Sequence, residues 1–165
     1  MNDRALADVR LVAFDIDGVF TDGRFYLSND GVESKAFNTQ DGFGVRALLK
    51  AGIDVAVISG RQSAAVDQRM NELGVQFVVQ GNADKVAAIE TIVRELDIDE
   101  KSVAYVGDDL PDLPLLRRAG VSVAVSNARE EVKAECDYTT KAAGGFGAVR
   151  EVCDLILRAR YEDKG

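Results

Sequence analysis

The stretch that decides the fold is VRLVAFDIDGVFTDG, Val9 to Gly23. Residues 9–14 are apolar apart from Arg10 and show no alternation, which is the pattern of a strand covered on both faces. The run ends by delivering Asp15 and Asp17 into a turn marked by Gly18. On an extended segment residues two apart point the same way, so both carboxylates leave the strand tip on one side. Similar short runs rich in Val and Ile recur at 55–58, 75–79, 103–106 and 121–125, each bounded by Gly, Asp or Ser. Helical spacing fills the gaps, at 44–50, 64–73, 86–96, 113–118 and 149–160. Strands alternating with helices predict an α/β fold with a central parallel sheet flanked by helices.

One segment breaks the alternation. Residues 24–37, RFYLSNDGVESKAF, form two strand-like runs around Asn29-Asp30-Gly31, a hairpin signal placed directly after the first strand. The whole chain, 1–165, reads as one domain with 24–37 as a β-hairpin flap.

Composition narrows the chemistry. The chain has no histidine, which removes His-based triads and phosphohistidine chemistry and leaves carboxylates, Lys, Ser and Thr to act. Twenty basic residues against 28 acidic ones give a net charge of −8, which disfavours a nucleic-acid partner. No apolar stretch reaches the ~18–20 residues of a membrane span, and the start MNDRALADVR lacks the apolar core of a secretory signal. A cytoplasmic location and no membrane partner are the expectation. Cys136 and Cys153 form no CxxC pair and read as buried or incidental thiols rather than a disulfide or zinc site.

Open α/β sheets bind ligands beyond the carboxyl ends of their strands, where strand order reverses. Three runs here end in polar clusters: Asp15 and Asp17; Ser59-Gly60-Arg61; and Gly107-Asp108-Asp109, followed by Asp112. Lys85 opens a helix after the third run. Carboxylates gathered so closely raise one another's pKa unless a cation sits among them, and hard oxygen donors with room for a phosphate suit Mg²⁺.

DIDGVFTDG, ISGR, Lys85 and GDDLPD, in that order, resemble the four motifs of the haloacid dehalogenase superfamily of phosphatases. The resemblance implies a Rossmann-like haloacid dehalogenase fold and two-step phosphoryl transfer. It makes Asp15 the nucleophile, Asp17 the acid and base, and Ser59 and Lys85 the groups that meet the phosphoryl oxygens. It also implies Mg²⁺ held by the Asp15 carboxylate, the Asp17 backbone carbonyl and Asp108, with Asp109 and Asp112 as outer support.

KAFNTQDGFGVRALL, ISGR and GGFGAVREVCDLIL closely resemble the 3-deoxy-D-manno-octulosonate 8-phosphate phosphatases of lipopolysaccharide synthesis, small homotetramers with shared sites. That likeness spans nearly the whole chain. It implies that a sugar phosphate binds through Asp17, Asn38, Thr39, Gln40, Asp41, Gly42, Arg46, Arg61, Arg69 and Lys85. Cationic groups suit the phosphate and the sugar carboxylate, especially in a protein whose overall charge repels anions. The sequence departs from the family at Phe146, where arginine is common, and Gly144 to Gly147 reads equally as a flexible helix entrance. Two other readings stand: a phosphatase of a nine-carbon acid sugar phosphate or other small ester, and a non-catalytic oligomerisation or phosphoacceptor module.

Overall fold

A computed structural model of the chain describes residues 3–162. Its elements run α1 (Asp3–Ala7), β1 (Leu11–Phe14), the hairpin β2 (Tyr26–Leu27) and β3 (Glu33–Ser34), α2 (Thr39–Lys50), β4 (Asp54–Ile58), α3 (Ala64–Leu73) and β5 (Phe77–Val79). They continue with α4 (Lys85–Leu96), β6 (Val103–Gly107), α5 (Leu113–Leu116), β7 (Val121–Ala124), α6 (Glu130–Lys133), β8 (Tyr138–Thr139) and α7 (Ala148–Glu162).

Six strands form one sheet in the order β5-β4-β1-β6-β7-β8, every neighbouring pair parallel. β1 lies in the middle, with Leu11 opposite Asp54 on one side and Val103 on the other. All four β1 residues are 0% exposed, which is why the run shows no alternation. The chain lays β4 and β5 on one side of β1 and then returns to add β6, β7 and β8 on the other. The reversal of strand order therefore falls at the carboxyl end of β1, where Asp15 begins. α1 and α2 both pack on α7, and α4 packs on α5, so helices flank the sheet. No helix among the described residues is long and apolar enough to cross a membrane.

Several boundaries differ from the sequence reading for local reasons. α2 starts at Thr39 rather than 44, because the Asn38 side chain caps it by accepting from Gln40 N at 2.8 Å. The glycines inside it are packing devices: a Cβ on Gly44 would stand 3.0 Å from the Cβ of buried Cys153, so the missing side chain lets α2 approach α7. The third apolar run gives β5 at Phe77–Val79 and not 75–79, because Val75 N donates to Met70 O behind Gly74 at φ +81 and so closes the end of α3. The first strand starts at Leu11, since Val9 N still donates to Leu6 O after α1. α5 ends at 116 rather than 118, and α1 and α6, of five and four residues, are too short to carry a helical period. The hairpin forms as expected, Tyr26 opposite Ser34 and Leu27 opposite Glu33, and Gly31 adopts φ +78 in its turn.

Candidate active site

The turn after β1 is held from both ends. Asp15 N donates to Val106 O at 3.0 Å, and the Asp15 carboxylate accepts from Ile16 N at 2.8 Å. Gly18 has φ +91, and the Thr21 hydroxyl accepts from Gly18 N at 3.4 Å and Gly23 N at 3.1 Å. A Cβ on Gly18 would fall 2.0 Å from Asp108 Oδ2. Glycine is thus required twice, for the backbone angle and for the approach of a carboxylate from the loop after β6. Asn127 fastens the turn from outside: its Nδ2 donates to Gly18 O at 3.0 Å and its Oδ1 accepts from Gly144 N at 2.6 Å. Beside it, Gly145 N donates to Val19 O at 3.2 Å.

A cleft of about 310 Å³ opens at this point, lined by Asp15, Asp17, Gly23, Ser59, Gly60, Arg61, Lys85, Asp108, Asp109, Pro111 and Asp112. Its floor is an ion-pair network. Asp84 caps α4 by accepting from Ala87 N at 3.0 Å, and the next residue, Lys85, sends its buried ammonium to 3.0 Å from Asp15 Oδ1 and 2.7 Å from Asp112 Oδ1. The Tyr105 hydroxyl donates to Asp112 Oδ1 at 2.6 Å, while Asp112 Oδ2 accepts from the backbone N–H groups of Asp108 and Asp109 at 3.0 and 3.2 Å. Burial pulls the Lys85 pKa down, but the two carboxylates outweigh it and hold the ammonium above its ordinary value. Burial, then the neighbouring Asp112 charge, pushes Asp15 up to about 6 against the pull of Lys85. Burial followed by the charges of Asp15, Asp112 and Asp109 pushes Asp108 up to about 8.

Asp15, Asp108 and Asp112 each offer a carboxylate oxygen within 4.8 Å of the others. Both oxygens of Asp112 are already committed to Lys85, Tyr105 and backbone amides, and Asp15 Oδ1 to Lys85 and Ile16 N, which leaves Asp15 Oδ2 and the Asp108 carboxylate to meet a cation. Hard oxygen donors that repel one another fit Mg²⁺. The sign of the titration gives a test. Because Asp108 and Asp15 bind protons more tightly folded than unfolded, the stability they add is full below about pH 4 and is lost as pH rises through about 6 and about 8. The melting temperature of EDTA-treated protein is expected to fall between pH 5 and pH 8, and added Mg²⁺ to raise it more at pH 8 than at pH 6. Equal Mg²⁺ shifts at both pH values would contradict the assignment.

Comparison with known proteins gives the site its relatives. The haloacid dehalogenase-like hydrolase family matches residues 76–151. The chain is 45% identical over 159 residues to the 3-deoxy-D-manno-octulosonate 8-phosphate phosphatase of Yersinia pestis, covering 96% of this chain and 85% of that protein. The phosphatase of the same name from Escherichia coli K12 is 46% identical over 153 residues, covering 93% of this chain and 81% of that one. The chain belongs to the 3-deoxy-D-manno-octulosonate 8-phosphate phosphatase family. Solved structures agree: the Y. pestis phosphatase superposes with a TM-score of 0.95 at 44% identity, covering 99% of this chain and 88% of that one. The Moraxella catarrhalis phosphatase, solved in complex with magnesium ion, phosphate ion and KDO, gives 0.94 at 44% identity, covering 98% and 93%.

In this octulosonate phosphatase family member, Asp15, Asp17, Ser59, Arg61, Lys85 and Asp108 meet in the cleft. Ser59 follows β4, is buried, and its hydroxyl accepts from Arg61 N at 3.2 Å. Other residues singled out from the sequence stand outside it. Asn38 reaches Gly145 O at 3.3 Å, and Thr39 and Gln40 are exposed at the start of α2. Asp41 is 1% exposed, its Oδ1 accepting from Arg150 N at 2.8 Å in the first turn of α7, with burial raising its pKa. That contact gives Asp41 a structural task, tying α2 to α7. Gly42 lies under the Arg69 guanidinium, Arg69 sits 3.3 Å from Glu72, and Arg46 donates to Glu72 O at 2.9 Å. Phe146 is 67% exposed and does not line the cleft. Tyr105, Asn127 and the flap residue Lys35, which is salt-bridged to Asp17, were not legible as site residues. Tyr105 lies within an apolar strand run, and the partners of Asn127 and Lys35 are far away in sequence.

Proposed function

We propose that the chain is one phosphatase domain that hydrolyses 3-deoxy-D-manno-octulosonate 8-phosphate to the free sugar acid and phosphate. The observation that carries this reading is Asp15, 3.0 Å from the Lys85 ammonium and within 4.8 Å of Asp108, with Asp17 lining the same cleft, in a chain of this family. Asp15 attacks phosphorus, the bond from phosphorus to the sugar oxygen breaks, and Asp17 gives its proton to the departing oxygen. Asp17 then takes a proton from the water that attacks the aspartyl phosphate, and phosphate leaves with the Asp15 carboxylate restored. The Ser59 hydroxyl and the Lys85 ammonium stabilise the charge that builds on the phosphoryl oxygens. Mg²⁺, which the Asp15 and Asp108 carboxylates and the Asp17 backbone carbonyl would hold, adds positive charge against those oxygens when bound.

A panel of acid sugar phosphates tests the assignment. The eight-carbon octulosonate ester is expected to give a kcat/KM at least about tenfold above a nine-carbon homologue, since one carbon or hydroxyl is worth ~1–3 kcal/mol. A preference for another ester, or no Mg²⁺-dependent phosphate release from any, overturns it.

The same reading places the enzyme in cytoplasmic lipopolysaccharide sugar synthesis as a homotetramer. Tyr26, Leu27 and Val32 on the flap are 72%, 65% and 63% exposed, and a lone two-stranded hairpin is marginal in water. Packing against flaps of other copies covers those side chains. Asn38, Thr39, Gln40, Arg46 and Arg69, which stand outside the cleft of their own chain, then serve a neighbouring copy, while buried Asp41 and Gly42 hold the start of α2 in place for them. Replacing residues 26–33 by a short glycine turn is expected to lower the mass seen by light scattering and to lower activity with it; an intact tetramer would refute the flap's role in assembly.

A further inference from the structure

Lys35 has no part in the chemistry described so far. It follows β3 on the flap, two residues after Glu33, so both side chains project from the same face of the hairpin. Its side chain is 0% exposed, an unusual position for lysine, and its ammonium is salt-bridged to Asp17 Oδ1 and lies 3.7 Å from Glu33 Oε1. Across the same junction Arg61 donates to Glu33 Oε2 at 2.7 Å, stacks 4.2 Å above the Phe25 ring, and brings its Nε to 3.9 Å from Asp17 Oδ2. Asp17 and Arg61 line the cleft; Lys35, Glu33 and Phe25 do not.

From this arrangement we infer that Lys35 is a positioning residue for Asp17, an inference that rests on the proton-transfer role proposed above. Even on a fixed turn, a carboxylate without a partner can rotate about its own side-chain bonds and swing both oxygens in and out of the cleft. Pinning Oδ1 to a buried ammonium fixes the side chain and leaves Oδ2, on the side of Arg61, as the oxygen that exchanges a proton with the leaving group and then with water. The flap thereby belongs to the working site of its own chain in addition to any contact it makes with other copies. Lys35 touches neither the phosphoryl group nor the sugar in this scheme, so its loss slows turnover without weakening substrate binding.

The test is Lys35→Met, which keeps the apolar stem and removes the charge. With the octulosonate ester, kcat is expected to fall by about 10²-fold, the size of a misplaced acid or base, with KM within about threefold of wild type. The rise in melting temperature on adding Mg²⁺ with beryllofluoride, a phosphoryl mimic that occupies a nucleophilic aspartate, is expected to be unchanged, because Asp15, Lys85 and Asp108 are intact. Lys35→Arg, which restores a cation, is expected to recover part of the lost kcat. A kcat within twofold of wild type overturns the inference, as does a raised KM at constant kcat, which would make Lys35 a substrate ligand. Loss of kcat together with the beryllofluoride shift also overturns it, since that is general damage to the site. Lys35→Gln carries the same expectations should the Met variant not fold. A wild-type protein that neither turns over nor responds to beryllofluoride overturns the proposed function itself.

Discussion

Asp15→Asn is expected to reduce phosphate release by at least about 10³-fold while the protein melts within a few degrees of wild type. An amide cannot displace the sugar oxygen from phosphorus, and a factor of 10³ in rate is about 4 kcal/mol of barrier. The fold should tolerate the exchange because asparagine matches aspartate in shape and its side-chain oxygen can still accept from Ile16 N, as the carboxylate does at 2.8 Å. Lys85 keeps its second partner, Asp112, at 2.7 Å. Burial already works against the Asp15 charge, pushing its pKa up to about 6, so replacing it with a neutral group removes a desolvation cost along with an ion pair. Steady-state assays and thermal melts on one preparation decide the matter: hydrolysis retained by the Asn variant ends the nucleophile assignment.

Lys85→Met has the second large effect, and it is double. Without the ammonium, Asp15 and Asp112 face one another across a buried floor with no counter-charge. Breaking a buried pair of this kind costs about 3–5 kcal/mol, or about 10 °C of melting temperature in a domain of this size. Asp15, already pushed up to about 6 with Lys85 pulling it down, takes a proton more readily once that pull is gone, so the variant should be closest to wild type in stability in mild acid and should lose ground as pH rises. Turnover is expected to fall about 10²- to 10³-fold even where the variant is folded, because a fixed positive charge beside the phosphoryl oxygens is gone. Melting curves from pH 5 to pH 8 beside kinetics at the most stabilising pH separate the two effects. A variant as stable as wild type at every pH would mean that the Asp15–Lys85–Asp112 network is far more hydrated than its burial implies.

Much of this was legible in the sequence because the relevant signals are local. β1 announced itself by an unbroken apolar run, and Asp15, Ser59, Lys85 and Asp108 stand within a residue or two of strand or helix ends that composition marks well. What was not legible depends on long-range geometry. Lys35 and Asp17 are 18 residues apart, and Asn127 meets Gly18 across 109. Tyr105 looks like any other strand residue until Asp112 folds back over it. The spacing predicts α2 only from Gly44 because Gly42, in its true first turns, normally interrupts a helix, and only the arrival of Arg69 and of α7 explains why both glycines are tolerated. Asp41 shows the converse: it belongs to a polar stretch that the family resemblance assigns to ligand binding, yet its Oδ1 is spent on the first turn of α7.

The fastening of the Gly18 turn by Asn127, Gly144 and Gly145 bears on how the enzyme comes into being during translation. The ribosome delivers Asp15 early, but the strands beside β1 arrive at 54–58 and 103–107, and the clasp on its turn only at 127 and 144–145. A nascent polypeptide carries the reactive carboxylate for most of its synthesis without the backbone that aims it. Competence to turn over substrate is thus switched on near the end of elongation, and a message cut short ahead of those codons yields a chain with its motifs largely present and no organised centre.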